Sequence, residues 1–298
     1  TCGGKTSRAD QFPCGFSRQG MRVAVLSGKG GTGKTFVSVC LAAVAQDAVY
    51  IDCDVEEPNG RLYWKPKIET EVPVSVLVPV FDAEKCSGCR KCVEFCRFHA
   101  LAFVKDKPIV FSEVCHSCGG CMLVCPESAV VETPRPVGMV EKGTKADVRV
   151  VTGILNTGEA SAVPVIKAAL RAGGKADFTV IDCPPGSGCP VMESVKDADC
   201  CLLVAEPTAF GLHNFKMIHR LAALLKKPCG VVINKADAPY APLEEYCAAQ
   251  NLPILLHIPY TEQLAALGAA GKIAVDQDIE LAQAFKGLLS AVKGGLLT

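Results

Sequence analysis

The segment Gly28-Lys29-Gly30-Gly31-Thr32-Gly33-Lys34-Thr35 limits what the chain can fold into more than any other. It fits G-x-x-x-x-G-K-[ST] and lies between the apolar run Met21 to Leu26, which reads as a buried strand, and a helical stretch from Phe36 to Gln46. A strand, a glycine-rich turn and a helix in that order aim backbone N–H groups and a helix N-terminus at one point, which suits a nucleotide's phosphates. Lys34 then reaches the β- and γ-phosphates and the Thr35 hydroxyl holds Mg²⁺.

Short apolar strands alternate with helices over most of the rest. Strands are expected at Ala48 to Asp52, Val148 to Thr152, Phe178 to Asp182, Cys200 to Ala205, Cys229 to Asn234 and Pro253 to Ile258. Helices are expected at Ala160 to Ala172, His213 to Lys226, Leu243 to Gln250 and Gln277 to Val292. This pattern predicts an α/β domain, a mainly parallel sheet flanked by helices, made of residues 21–81 and 137–298. Residues 82–136 interrupt it as an insert. Residues 1–20 lack periodicity and read as a disordered arm or an over-called translation start, with Cys2 and Cys14 as free thiols.

Carboxylates collect where such sheets place ligands, at the carboxyl ends of strands. Asp52 and Asp54 close the second strand and point the same way, and Asp182 closes the run Phe178 to Ile181 before Cys183-Pro184-Pro185-Gly186-Ser187-Gly188. Cys183 and Cys189 read as buried small residues, since two thiols cannot complete an iron site. The strand ending Ile233-Asn234-Lys235-Ala236-Asp237 carries N-K-x-D, the pattern by which GTPases read guanine.

Cysteine usage is the other outlier: of 18 cysteines, eight fall between Cys86 and Cys125. Cys86-x2-Cys89-x2-Cys92-x3-Cys96 recurs 29 residues later as Cys115-x2-Cys118-x2-Cys121-x3-Cys125. This is the spacing of the bacterial ferredoxin run, in which the fourth cysteine ligates the other cluster. One [4Fe-4S] cluster is therefore expected on Cys86, Cys89, Cys92 and Cys125, and a second on Cys96, Cys115, Cys118 and Cys121. Zinc, the alternative, favours cysteine pairs separated by a longer loop. Arg97 stands where proline usually follows the fourth cysteine, either as a charge beside a cluster or as a solvated side chain. An insert of about 55 residues lies below the roughly 70 to 80 at which a core suffices without staples.

The early lysine, Lys29, makes the phosphate loop a deviant Walker A, and here the chain resembles the MinD/ParA/Mrp superfamily of dimerising P-loop ATPases. Further matching segments are Gly153-Ile154-Leu155-Asn156-Thr157-Gly158-Glu159 and Glu206-Pro207-Thr208-Ala209-Phe210-Gly211-Leu212-His213. The likeness extends from Met21 to the C-terminus and is to a subgroup carrying a two-cluster ferredoxin insert. It implies a MinD-like fold, and an ATP site built from Gly28, Lys29, Gly30, Gly31, Thr32, Gly33, Lys34 and Thr35. It also implies that Lys29 crosses a dimer interface to the partner's nucleotide, much as an arginine finger does. By the same likeness Asp54 positions the attacking water beside Mg²⁺, Asp52 belongs to the outer Mg²⁺ shell and Asp182 binds Mg²⁺ through water. The Gly186 N–H senses the γ-phosphate, and Asn234 meets the adenine edge, which is favoured over guanine.

Lys plus Arg equals Asp plus Glu at 31 each, and no basic run exists to displace counterions from a nucleic acid. No apolar stretch is long enough to span a membrane and no signal sequence is evident, so a cytoplasmic protein is expected. The stretch Ile279 to Val292 has only Lys286 and Lys293 as basic residues nearby and reads as the closing helix of the fold, not a membrane anchor. The leading expectation is an ATPase that couples dimer switching to electron transfer through two clusters, acting as a homodimer or with a related ATPase and an unidentified redox or cluster-acceptor partner. An Mrp-type cluster carrier is the alternative, weakened because Cys229 and Cys247 are too far apart to form a C-x-x-C. A MinD-like positioning ATPase ranks third.

Overall fold

The computed structural model describes residues 20–105 and 107–295. What the sequence suggested for residues 1–19, including Cys2 and Cys14, lies outside the described residues. In chain order the first part contains β1 (Met21–Ser27), α1 (Lys34–Val44), β2 (Ala48–Asp52), α2 (Gly60–Trp64) and β3 (Lys67–Phe81). The cysteine-rich part contains α3 (Lys91–Phe95), β4 (Leu101–Val104), β5 (Lys107–Val110) and α4 (Gly120–Leu123). Then follow β6 (Val130–Lys145), β7 (Val148–Leu155), α5 (Val163–Ala172), β8 (Phe178–Asp182), α6 (Cys189–Val195), β9 (Cys200–Ala205) and α7 (Ala209–Leu224). The last are β10 (Cys229–Asn234), α8 (Ala241–Ala249), β11 (Ile254–Ile258), α9 (Glu262–Ala269) and α10 (Ile279–Lys293).

One nine-stranded sheet runs β11-β10-β9-β1-β8-β2-β7-β6-β3. From β11 to β7 every pairing is parallel, whereas β7–β6 and β6–β3 are antiparallel. The inner strands are buried on both faces, which is why they read as unbroken apolar runs. Alternation sorts their side chains between two cores. Ala24 and Leu26 join Ile181, Leu203, Ile166 and Phe215 on one face, while Val23 and Val25 join Val180, Leu202, Leu41 and Phe285 on the other. On that second face α10 buries Leu281, Phe285, Leu288 and Val292, and Phe285 meets Phe36 edge-on. The apolar stripe of α10 is thus packed inside the fold. No helix among the described residues is long and apolar enough to cross a membrane.

The strands β3 and β6 are the main departure from the sequence reading, which assigned no element to residues 67–81 and placed residues 130–136 in the insert. They pair from Lys67 opposite Thr144 to Phe81 opposite Val130, forming a long ribbon at the sheet edge. The alternating Val72, Val74, Val76, Val78 and Val80 carry the strand period, but Pro73 and Pro79 mask it. Proline is tolerated there because β3 is the terminal strand, where a missing N–H breaks no ladder and discourages pairing with another chain.

Between the ends of that ribbon, β4 and β5 pair as an antiparallel hairpin, and α3 and α4 are single turns. The sequence repeat is also a backbone repeat. Left-handed residues recur at Gly88 and Ser117, Arg90 and Gly119, and His99 and Ser128. The bonds His99 N–H to Cys96 O and Ser128 N–H to Cys125 O match as well, at 3.2 and 3.3 Å.

Candidate functional site

Parallel register sets the site. Asp52 of β2 lies beside Asp182 of β8, and β1 ends alongside them, so two carboxylates meet the glycine loop at one sheet edge. The loop needs its glycines: a Cβ at Gly28 would strike the Asn214 backbone, and Gly33, left-handed at φ 92°, would place one against the Asn234 amide. The Thr32 hydroxyl donates to Lys29 O at 3.1 Å and closes the turn from inside. No side chain caps α1, so its first N–H groups face an open cavity of about 1020 Å³. Lys29, Gly30, Gly31, Gly33, Lys34, Thr35, Asp54, Glu57 and Pro185 are among the residues that line it.

Lys34 is buried, with its Nζ 2.6 Å from Asp182 Oδ1 and 3.5 Å from Asp54 Oδ2. Burial opposes its charge, but Asp182, Asp54 and Asp52 outweigh that and hold the ammonium above the ordinary lysine range. Asp182 is fully buried and also accepts from Ser38 Oγ at 3.1 Å and Tyr50 Oη at 2.8 Å. Sequence reasoning missed both donors, although Ser38 stands one helical turn after Lys34. Burial, then the Asp182 and Asp52 charges, push the Tyr50 hydroxyl well up.

Asp52, expected in the outer Mg²⁺ shell, is fully buried, and its oxygens accept the backbone N–H groups of Asp54 at 3.1 Å and Gly60 at 2.9 Å. It fastens the loop that carries Asp54. Burial and the nearby Asp182 push its carboxyl well up, against Lys34 and the Gly60 N–H. Asp54 does reach the cavity, and burial raises its carboxyl to about 6 against the pull of Lys34. The Gly186 N–H, expected to sense the γ-phosphate, donates to Ser27 O at 2.9 Å. Cys183 is buried as expected, whereas Cys189 is exposed.

Lys29 is tied within its own chain. Its Nζ lies 2.6 Å from Glu206 Oε2 and 5.4 Å from the centre of the Phe210 ring. Lys235 shares the same carboxylate, 2.7 Å from Glu206 Oε1, and donates to Gly31 O at 2.7 Å. Burial works against charge on Glu206, but the hydrogen bonds from Lys235 and Lys29 win and hold its carboxyl low. Asn234 Nδ2 donates to Thr32 O at 2.8 Å. Asn234 also lines a smaller cavity of about 170 Å³ beside Gly33, with Phe36, Lys235, Pro259 and Tyr260.

The cysteines gather into two further cavities. One is bordered by Cys86, Cys89, Cys92 and Cys125 with Phe81 and Phe103, and the other by Cys96, Cys115, Cys118 and Cys121 with Phe95, Phe98 and Arg97. Each cavity therefore takes three cysteines from one run and the fourth from the other. The Ala129 N–H donates to Cys125 Sγ at 3.3 Å and the Ser117 N–H to Cys115 Sγ at 3.5 Å. Ser117 Oγ, on the second cavity, is buried without a partner. Among the described residues no three His, Cys, Asp or Glu side chains converge as one metal ion would require.

The glycine loop between β1 and α1, its lysine on strand-end carboxylates and the parallel sheet define a P-loop nucleotide-binding protein. Residues 23–275 match the CobQ/CobB/MinD/ParA nucleotide-binding domain, and the chain belongs to that family. It is 35% identical over 195 residues to the uncharacterised protein MJ0578 of Methanocaldococcus jannaschii, covering 63% of this chain and 68% of that one. Among solved structures, it is similar to the septum site-determining protein MinD complexed with Mg-ADP from Pyrococcus horikoshii, at TM-score 0.55 and 19% identity over 93% of this chain and 98% of that one. The cell division ATPase MinD of Pyrococcus furiosus gives TM-score 0.55 and 20% identity, over 92% and 99% of the two chains. These likenesses to solved structures carry the fold.

Proposed function

We propose that the protein hydrolyses ATP and couples nucleotide-driven dimer switching to electron transfer through two [4Fe-4S] clusters. The observation that carries this reading is the meeting, in one chain, of a P-loop site with two cavities each bordered by four cysteines in crossed sets.

At the nucleotide site the chain's own groups suit the task. An entering triphosphate competes with Asp182 and Asp54 for the Lys34 ammonium and receives the loop N–H groups. Thr35 and the freed Asp54 would hold Mg²⁺, which when bound neutralises the phosphate charge, while Asp182 and Asp52 fix the loops around it. Asp54 then orients the attacking water. Lys29 must leave Glu206 to serve a partner chain's nucleotide, so dimerisation has an ion pair to break.

The cysteine cavities fit cubane clusters on their donors. All eight thiols lie on cavity walls, backbone N–H groups already point at two of the sulfurs, and the orphaned Ser117 hydroxyl is a donor in want of an acceptor. Each cluster, when bound, would take up and release one electron. Cys89 and Cys118 are exposed, which gives the cluster-carrier reading its one favourable feature, while Cys229 and Cys247 are buried and offer no transfer site.

Anaerobic preparation followed by iron and sulfide analysis tests the reading, with about eight irons per chain expected from two ligand sets. Bound zinc, or iron for a single cluster, overturns it. Absence of ATP turnover in the iron-loaded dimer overturns the coupling.

A further inference from the structure

At the amino ends of the parallel strands, on the edge opposite the glycine loop, Arg22, Lys167, Arg171 and Lys196 line one cavity of about 370 Å³ together with Glu193 and Asp197. Arg22 is the second residue of β1, Lys167 and Arg171 lie one turn apart on α5, and Lys196 directly follows α6. Four cations against two carboxylates leave a surplus of positive charge around one small volume. Like charges gathered this way repel, and an anion placed among them relieves the repulsion.

Closing the helix ends, the ordinary work of cations at this edge, is done by other residues. Behind α6, Lys227 Nζ donates to Lys196 O at 2.9 Å and Ala198 O at 2.6 Å. Behind α5, Arg149 donates to Gly173 O at 3.4 Å and Lys175 O at 2.6 Å. Among the described residues only Lys167 of the four cavity cations has a carboxylate within ion-pair range, Glu193 at 3.8 Å. Arg22 is fixed by its backbone, whose N–H donates to Asp199 Oδ2 at 2.7 Å and whose carbonyl accepts the Asp199 N–H at 2.8 Å. Its Nε–H is buried and has no acceptor. A buried donor left unpaired is costly, and an oxyanion in the adjoining cavity is the acceptor it lacks.

We propose that this cavity binds a small phosphorylated molecule, a ligand separate from the nucleotide. The charge surplus matches a phosphoryl dianion, and two guanidinium groups offer its oxygens paired N–H donors in a fixed fork. The volume suits a metabolite-sized ligand. Glu193 and Asp197 on the same wall interrupt the basic residues, so a nucleic-acid backbone finds no continuous basic track here.

The test is a calorimetric titration of the full chain at low ionic strength, saturated with Mg²⁺ and a non-hydrolysable ATP analogue so that the phosphate loop is filled. The probes are inorganic phosphate, 3-phosphoglycerate, succinate and a short DNA duplex. Phosphate and 3-phosphoglycerate should compete for a single site per chain, with succinate at least about tenfold weaker. Arg22→Gln and Arg171→Gln should each weaken 3-phosphoglycerate binding by about tenfold or more, as loss of hydrogen bonds to a charged group requires. Lys286→Gln, an exposed position on α10, should bind as wild type does. Affinity for the ATP analogue checks the fold of every variant, and the exposed Arg171 reads the site even if Arg22→Gln fails to fold. The proposal is overturned by no saturable binding of either phosphate probe, by succinate binding as tightly, or by unchanged affinity in folded Arg22→Gln and Arg171→Gln. Equal weakening in Lys286→Gln overturns it too, as binding by general charge. A duplex that binds through Arg22 and Arg171 while 3-phosphoglycerate does not would replace it with a nucleic-acid face.

Discussion

Lys34 and Lys29 share one loop but stand in different electrostatic settings, and that difference predicts separable phenotypes. Lys34 is enclosed by carboxylates at the phosphate site, so Lys34→Ala should abolish ATP binding in equilibrium titrations. Lys29 points to Glu206, so Lys29→Ala should leave binding nearly intact and cut hydrolysis by a factor on the order of 10³, the lower range for a trans-acting cation. Equal loss of affinity in both variants would remove the trans role. Asp54 supplies a pH test on the nucleotide-free, Mg²⁺-free protein. Its folded carboxyl, raised by burial to about 6, lies above the ordinary value of about 3.9, so the folded state retains a proton that the unfolded chain has lost. Its contribution to stability is therefore complete below about pH 4 and disappears as pH rises through 6. Asn mimics the protonated form. The melting temperature of Asp54→Asn should exceed that of wild type by a margin that grows from pH 4 to pH 7, and a margin independent of pH would contradict the assignment. At this scale the sequence located the groups that gather around the nucleotide cavity and left their partners hidden. The Glu206 clasp on Lys29 and Lys235, and the donation of Tyr50 to Asp182, join residues far apart in the chain, and no local pattern encodes them.

The elements divide by how burial writes itself into sequence. The strands β2, β8, β9 and β10 begin and end where the apolar runs do, because parallel strands covered on both faces must be apolar throughout. α9 has no fully buried residue and α6 is short, so neither carries a periodic stripe to find. β3 exposes most of its length and contains two prolines, and only its alternating valines betray it. The duplicated cysteine runs are the opposite case, where the likeness of their spacing to the bacterial ferredoxin run anticipated which cysteines border each cavity, and each short helix ends shortly before its fourth cysteine. That crossing makes a prediction. Cys125→Ala should selectively damage the cluster on Cys86, Cys89 and Cys92, and Cys96→Ala the cluster on Cys115, Cys118 and Cys121. Both losses are measured by iron content and the residual EPR signal, and a loss confined to the mutated run would show uncrossed ligation.

The whole molecule joins parts that differ in what holds them together. The nine-stranded sheet has two extensive apolar cores, one under α5, α6 and α7 and one under α1 and α10. Residues 82–129 have almost none: Cys92, Ala100, Leu101 and Ala129 are their buried apolar side chains among the described residues, while Phe95, Phe98, Phe111, Met122 and Leu123 are exposed. A segment of that size needs staples, and on the proposed reading thiolate-bound clusters would be those staples. The ribbon of β3 and β6 separates these regimes, since its base is hydrogen-bonded into the sheet through β7 while its tip closes only on the cysteine-rich segment. Iron removal by an anaerobic chelator should therefore act locally. Hydrogen exchange in residues 82–129 and at the ribbon tip, near Val78 to Phe81 and Val130 to Thr133, should rise toward the unfolded rate. Protection in β1, β8, β9 and β10 should hold, and so should the affinity for ADP. Heating the loaded protein should show two transitions, with the lower one lost after chelation. If residues 82–129 keep their protection without iron, the clusters are not what folds them. If the central strands lose protection as well, the sheet and the cysteine-rich segment fold as one cooperative unit and ATP binding should fail with the metal.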